Sequence, residues 1–175
     1  QIVWAPAKEE LFRVPLVGSV LRSWGAFPVR RGKGDLRAMR QMLAYMRTDK
    51  MMLFPEGTRS QDGRLQAGKR TIGKLVYLAH PTVIPTAILC PPRDRVARCS
   101  FSGLRLPIYI RYGKPLDLQR YYAMPDSKET AQAIIQEIMG AIAALLYNTP
   151  HPGLAPNNIP GSGPVKGEED GTKKG

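Results

Sequence analysis

The sequence predicts an α/β fold, a mostly parallel central sheet flanked by helices. Three observations carry this. Short apolar, strand-like runs alternate with segments of helical period as far as Cys90. Helical connections between successive strands are what a parallel sheet requires. The segment before Asn148 is a long helix with an apolar stripe that faces a core. At 175 residues and 43 % apolar, the chain can bury one ordinary core, so residues 1–147 read as a single domain.

Ile2-Val3-Trp4-Ala5 reads as a short strand, and Glu9 to Trp24 as a helix broken near Pro15. Gly25 to Val29 is extended again, with Pro28 placing it at an edge or a strand end. Asp35 to Arg47 is helical by period, with Leu36, Met39, Leu43 and Met46 on one face. Arg37, Arg40 and Arg47 lie off that stripe and read as a solvated face. Met51 to Phe54 is the next strand, followed by a loop through Gly63. Lys69 to Ala79 is helix, His80-Pro81 a turn, and Thr82 to Cys90 a buried strand. From Arg98 the pattern changes to strand-like pieces, notably Leu106 to Tyr112. The last helix starts at Asp126, where D-S-K-E resembles a capping box, and runs to about Tyr147. Ile134, Ile138, Ile142 and Leu145 form its core stripe. Residues 148–175, rich in Pro and Gly, read as a disordered tail.

The formal net charge of +12 is uneven: residues 1–75 hold 15 Lys/Arg against 6 Asp/Glu, a net of +9. A basic half suits nucleic acid, an anionic bilayer or a phosphorylated small molecule. Nucleic acid is disfavoured by the lack of zinc-finger, RNP or GXXG patterns and by an aromatic content of 7 %. Cys90 and Cys99 lack the spacing of a zinc site and read as idle thiols, with a bridge between them the alternative. The longest uncharged run, Leu75 to Pro92, is interrupted by Pro81 and Pro85, so no span of the bilayer is expected. The chain starts at Gln1, not methionine, from which a fragment or processed product is expected.

One stretch carries chemistry. In "MMLFPEGTRS", residues 51 to 60, an apolar strand runs into a glutamate, a glycine and an arginine. Ligands of parallel sheets bind beyond the carboxyl ends of strands. Gly57 lets backbone approach a ligand, and Arg59 supplies a planar fork suited to phosphate. Glu56 either holds that arginine or hydrogen-bonds a substrate hydroxyl. Arg30 and Arg31 end the preceding strand in the same way. The strands at Phe27, Leu53 and Ile84 are therefore expected in one sheet, with Arg30 and Glu56 at neighbouring carboxyl ends. Two readings stand at this point: a phosphate grip, or a structural Glu–Arg ion pair with Arg30 and Arg31 solvated.

"FPEGTRS" closely resembles the third sequence block of the 1-acylglycerol-3-phosphate acyltransferase family, the glycerolipid acyltransferases. "AKEELFRVPLVGSVLRSWGAFPVRRGKG" looks like the second block, with Gly25, Phe27, Val29 and Arg30 at its pattern positions. "PTVIPTAI" looks like the fourth, with Pro85 as its characteristic proline. The resemblance covers roughly residues 4–90 in the family's order, and residues 98–147 only loosely. It implies transfer of a fatty acyl group from acyl-CoA or acyl carrier protein to the free hydroxyl of 1-acylglycerol 3-phosphate. The product would be phosphatidic acid, for phospholipid biosynthesis. It puts Arg30, Glu56, Gly57, Thr58 and Arg59 in the acceptor site and Pro85 on the acyl side as a shaping residue. It implies no cofactor beyond the acyl donor and no metal. It implies a place at an anionic membrane surface, on the cytoplasmic face, and no nucleic-acid partner. Leu11 to Trp24 mixes bulky apolar residues with arginine, as interfacial helices do, and equally fits an ordinary core helix.

The departures are specific. The family's first block, H-x-x-x-x-D, supplies a histidine base, yet His80 and His151 are followed five positions on by Pro85 and Pro156. No catalytic residue is therefore assigned, and residues 1–147 are expected to lack that N-terminal segment and to be inactive alone. Thr71 stands where the family often has glycine in a Lys-x-Gly step, here Lys69-Arg70-Thr71. The alternatives are a basic, non-enzymatic module binding anionic membrane or nucleic acid, and an acyltransferase using glycerol 3-phosphate or another lysolipid.

Overall fold

A computed structural model describes residues 2–30, 36–57, 65–89 and 109–147 of the chain. Its parallel sheet has three strands, β1 (Val3–Lys8), β2 (Ala26–Val29) and β3 (Lys50–Met51), in the order β2-β1-β3. β1 pairs with β2 through Ala5↔Ala26 to Lys8↔Val29, and with β3 through Val3↔Lys50 and Trp4↔Met51. Between β1 and β2 run a 3₁₀ helix (Glu9–Arg13) and α1 (Pro15–Ser23). Val14 is extended between them, so the expected break falls where a proline opens a helix without losing a bond.

Helix α2 (Leu36–Thr48) covers one face of this sheet through Tyr45. The Tyr45 ring stacks on Trp4 with centroids 4.1 Å apart and meets Phe27 at 5.3 Å. An aromatic wedge of this kind joins helix and sheet by area and ring geometry together. Of the apolar stripe expected on α2, Met39, Leu43 and Met46 are half-buried and Leu36 alone faces outward, 65 % exposed; the fully buried residue is Ala38. Arg37, Arg40 and Arg47 are exposed as expected, and Arg47 donates to the Leu78 carbonyl, 3.1 Å away.

The main core lies between α3 (Arg70–Ala79) and α5 (Lys128–Tyr147). Val76, Leu118, Ile134, Ile135, Ile138 and Ile142 form one buried cluster, and Met46 of α2 packs against it. The two helices touch backbone to backbone at Gly73, where a β-carbon would stand 2.0 Å from the Ala131 carbonyl oxygen. α5 is, among the described residues, the one helix long and apolar enough to cross a membrane. Its buried isoleucines mark it as the core helix of this domain. It is capped by Ser127, not Asp126: the Ser127 hydroxyl accepts from the Thr130 N–H at 3.1 Å. Asp126 instead pairs with Lys74.

Strand β4 (Thr86–Leu89) departs from expectation. It pairs antiparallel with β5 (Tyr109–Tyr112) in a separate two-stranded sheet, through Ile88↔Ile110 and its neighbours. Leu53 and Ile84 fall just outside the strands. The short α4 (Gln119–Tyr122) connects this ribbon to α5, and Arg111 donates to the Leu145 carbonyl at 2.8 Å. Cys90, Cys99 and the tail at 148–175 lie outside the described residues.

Candidate functional site

The chain extends β3 by one bond, Met52 N–H to the Trp4 carbonyl at 2.9 Å, and then turns. Gly57 closes the turn by donating to the Phe54 carbonyl at 2.9 Å, with φ +68°, a left-handed value that L side chains rarely adopt. The chain beyond the following loop is stitched back to this corner by two bonds. The Gln66 N–H donates to Glu56 Oε2 at 3.0 Å, and the Lys69 N–H donates to the Pro55 carbonyl at 2.8 Å. Among the described residues the Glu56 carboxylate therefore serves the loop backbone, not a guanidinium.

Lys69 is the residue the sequence did not single out as functional. Its side chain lies across Gly57: a β-carbon there would sit 2.6 Å from Cε, 2.8 Å from Cδ and 3.0 Å from Nζ. Among the described residues the ammonium has no ion-pair partner, and Lys69 is exposed. A strongly hydrated cation thus lies against the glycine that closes the turn after a parallel strand. The signal for it is Lys69-Arg70-Thr71, which stands at the Lys-x-Gly step of the resemblance.

Arg30 leaves the carboxyl end of β2, but its described partner is Glu9 at the end of β1. The contact is two-pronged, Nε to Oε2 at 2.7 Å and Nη2 to Oε1 at 3.3 Å. Because β1 lies between β2 and β3, Arg30 and Glu56 do not end neighbouring strands, contrary to expectation. Thr58, Arg59 and Arg31 lie outside the described residues. Pro85 is buried just before β4, with Gly113 against its ring and the Gly113 N–H donating to its carbonyl at 2.8 Å.

His80 closes α3 in a left-handed conformation, its N–H donating to the Val76 carbonyl at 2.9 Å. Its imidazole stacks on the Tyr122 ring at 4.0 Å, a packing position. At the α4–α5 joint the Tyr121 hydroxyl donates to Glu137 at 2.6 Å, which raises the phenol's pKa above its ordinary value.

Fold and corner together place the chain among α/β proteins that present a loop beyond the carboxyl end of a parallel strand. A family model described as Acyltransferase matches residues 1–89, which include the whole parallel sheet, the corner and α3. The chain belongs to this acyltransferase family. It is 26 % identical to a 1-acyl-sn-glycerol-3-phosphate acyltransferase of Limnanthes douglasii over 117 residues, 67 % of this chain and 40 % of that protein. The crystal structure of the 1-acyl-sn-glycerophosphate (LPA) acyltransferase PlsC from Thermotoga maritima shares the fold, with a TM-score of 0.55 at 20 % identity. That match covers 82 % of this chain and 56 % of PlsC. The chain thus spans between two-fifths and just over half of the length of these relatives.

Proposed function

We propose that the chain supplies the acceptor side of a fatty acyl transfer from acyl-CoA or acyl carrier protein to 1-acylglycerol 3-phosphate. The acceptor's free hydroxyl attacks the thioester carbonyl, a new ester bond forms, the thiolate leaves, and a base takes the hydroxyl proton. The product is phosphatidic acid, a phospholipid precursor. In this reading Gly57, Thr58 and Arg59 grip the acceptor phosphate, Glu56 fixes their loop, and Lys69 adds a second cation. Arg30 joins them by exchanging Glu9 for phosphate. Its side chain is 74 % exposed, and exposed ion pairs contribute only about 0–1 kcal/mol, so the exchange is undemanding. Pro85 shapes the acyl side. A lipid acceptor and product place the reaction at a membrane, on its anionic cytoplasmic face.

The observation that carries the reading is the Glu56–Gly57 corner with Lys69 laid across it, inside the span that matches the family. The test is binding of lysophosphatidic acid against monoacylglycerol in mixed micelles. A phosphate-dependent preference of at least about tenfold is expected, because one charge-assisted hydrogen bond contributes about 1.5–3 kcal/mol and 1.4 kcal/mol is one decade. Arg59→Ala should abolish the preference, and equal binding of both lipids would sink the reading. Neither histidine of residues 1–175 sits in an H-x-x-x-x-D pattern. Without a positioned base the rate falls by about 10²–10⁴-fold. Residues 1–175 incubated alone with labelled acyl-CoA should therefore form no phosphatidic acid above background.

A further inference from the structure

The chain returns from the loop through residues 65–69, and this short strap touches two parts of the fold. Leu65 packs against the buried cluster between α3 and α5. Gly68 lies on α5 itself: a β-carbon there would stand 2.5 Å from Ile135 Cγ1 and 2.7 Å from Met139 Cγ. Ile135 is fully buried and has no room to give way, and Met139 is half-buried beside it. Unlike Gly57, Gly68 does not have a positive φ, so its position needs room and not left-handed backbone. Lys69 follows in extended conformation, with φ −77° and ψ 124°. Successive side chains of an extended chain point opposite ways, so the strap meets α5 at Gly68 and the corner at Lys69.

We propose that Ile135 and Met139 are positioning residues for the acceptor phosphate: by seating Gly68, α5 sets where Lys69 lies over Gly57. The inference rests on the acceptor reading of the corner, and adds to it the part of the fold that aligns the cation. The Gln66 and Lys69 N–H groups bond to Glu56 and Pro55, which fixes the strap to the turn after β3. Gly68 on α5 fixes its other side, so Lys69 starts from a backbone held by the sheet and by the helical core at once. A lysine stem rotates about several bonds, and its ammonium is placed only as well as the backbone it starts from. Consecutive α-carbons are joined through a planar peptide about 3.8 Å long, so a push at Gly68 moves Lys69 directly. α5 lies beyond residues 1–89, the span that matches the family model, so the corner draws on a part of the chain outside that span.

The experiment measures binding of lysophosphatidic acid and of monoacylglycerol in mixed micelles, together with amide exchange, on the whole chain. Gly68→Ala should weaken lysophosphatidic acid binding about tenfold, as much as Lys69→Ala, and leave monoacylglycerol binding unchanged. In the Lys69→Ala background the same substitution should cost no more than about twofold, because the cation it displaces is already gone. Met139→Ala removes the α5 side of the contact without adding bulk, and should give a smaller loss of the same phosphate-dependent kind even if Gly68→Ala does not fold. With no lipid present, exchange at the Gln66 and Lys69 amides should rise at least about tenfold in either variant, while Leu75 and Val76 of α3 stay protected. Gly73→Ala strikes α5 at Ala131, one helical turn further from the corner, and should lose stability yet keep the phosphate preference. The proposal is overturned if Gly68→Ala and Met139→Ala both bind and exchange like the parent, or if the loss is undiminished in the Lys69→Ala background. It is also overturned if Gly73→Ala loses the preference equally. A parent without any phosphate preference sinks the acceptor reading instead, and the exchange rates then still decide whether α5 places Lys69.

Discussion

Lys69 Nζ lies 3.0 Å from the point where a β-carbon on Gly57 would stand, so the glycine and the lysine occupy one space. Gly57→Ala should displace the lysine and add the strain of a left-handed alanine, about 1–2 kcal/mol. Lys69→Ala should weaken lysophosphatidic acid binding about tenfold without lowering the melting temperature. If the corner works as a unit, the double variant will bind no worse than the weaker single one. Additive losses in that cycle would show the two residues to be independent.

Glu9→Gln tests whether Arg30 can change partners. Stability should fall by less than about 1 kcal/mol, since the pair is exposed. Affinity for a phosphorylated acceptor should rise a few-fold, because the guanidinium no longer has to leave a carboxylate. An affinity that does not change, measured by calorimetry, would leave Arg30 as a tie between the ends of β1 and β2.

Gly73→Ala should be the most damaging single methyl group in the core. It would meet the Ala131 carbonyl at 2.0 Å, a backbone atom that cannot rotate away. Overpacking of this kind costs typically about 1–3 kcal/mol, and the upper end is expected here. Urea unfolding measures it; a loss under about 0.5 kcal/mol would show that α3 and α5 part easily.

Tyr122 carries the opposite expectation. Its hydroxyl is buried without a hydrogen-bond partner among the described residues, and burial raises its pKa above the usual 10.0. The neutral phenol is thus favoured in the fold, and that contribution is present below pH 10 and lost as pH rises through the raised value. Tyr122→Phe should stabilise the protein by about 1 kcal/mol at pH 7 and flatten the alkaline loss. A variant less stable than the parent at pH 7 would mean that the hydroxyl has a partner after all.

The sequence made the helices legible because each writes its period locally: α2 and α3 fall within two residues of where apolar spacing put them. Partners were not legible. Alternation says which face of β4 is apolar, but not that its neighbour is β5, which lies beyond a long connection. The same limit hid Glu9, 21 residues from Arg30, and the approach of Lys69 to Gly57 across a loop. For α1 the period was right and the direction open, since an apolar stripe reads alike whether it meets a core or faces outward. At the corner, Gly57 announced its own geometry, because few other residues take φ +68°.

β1 lies at the centre of the parallel sheet although it precedes both of its partners in the chain. Val3 pairs with Lys50, 50 − 3 = 47 residues later. At about 5–20 residues per second, a ribosome makes the second residue of that pair roughly 2–10 s after the first. Throughout that interval Val3-Trp4 lacks β3, and before β2 emerges Ala5 to Lys8 lack their partner as well. Bare apolar edges of this sort recruit other chains, so the order of strands sets a period of exposure for every newly made molecule. A chaperone that shields β1 would act in those seconds, and slowing synthesis ahead of Lys50 would lengthen them.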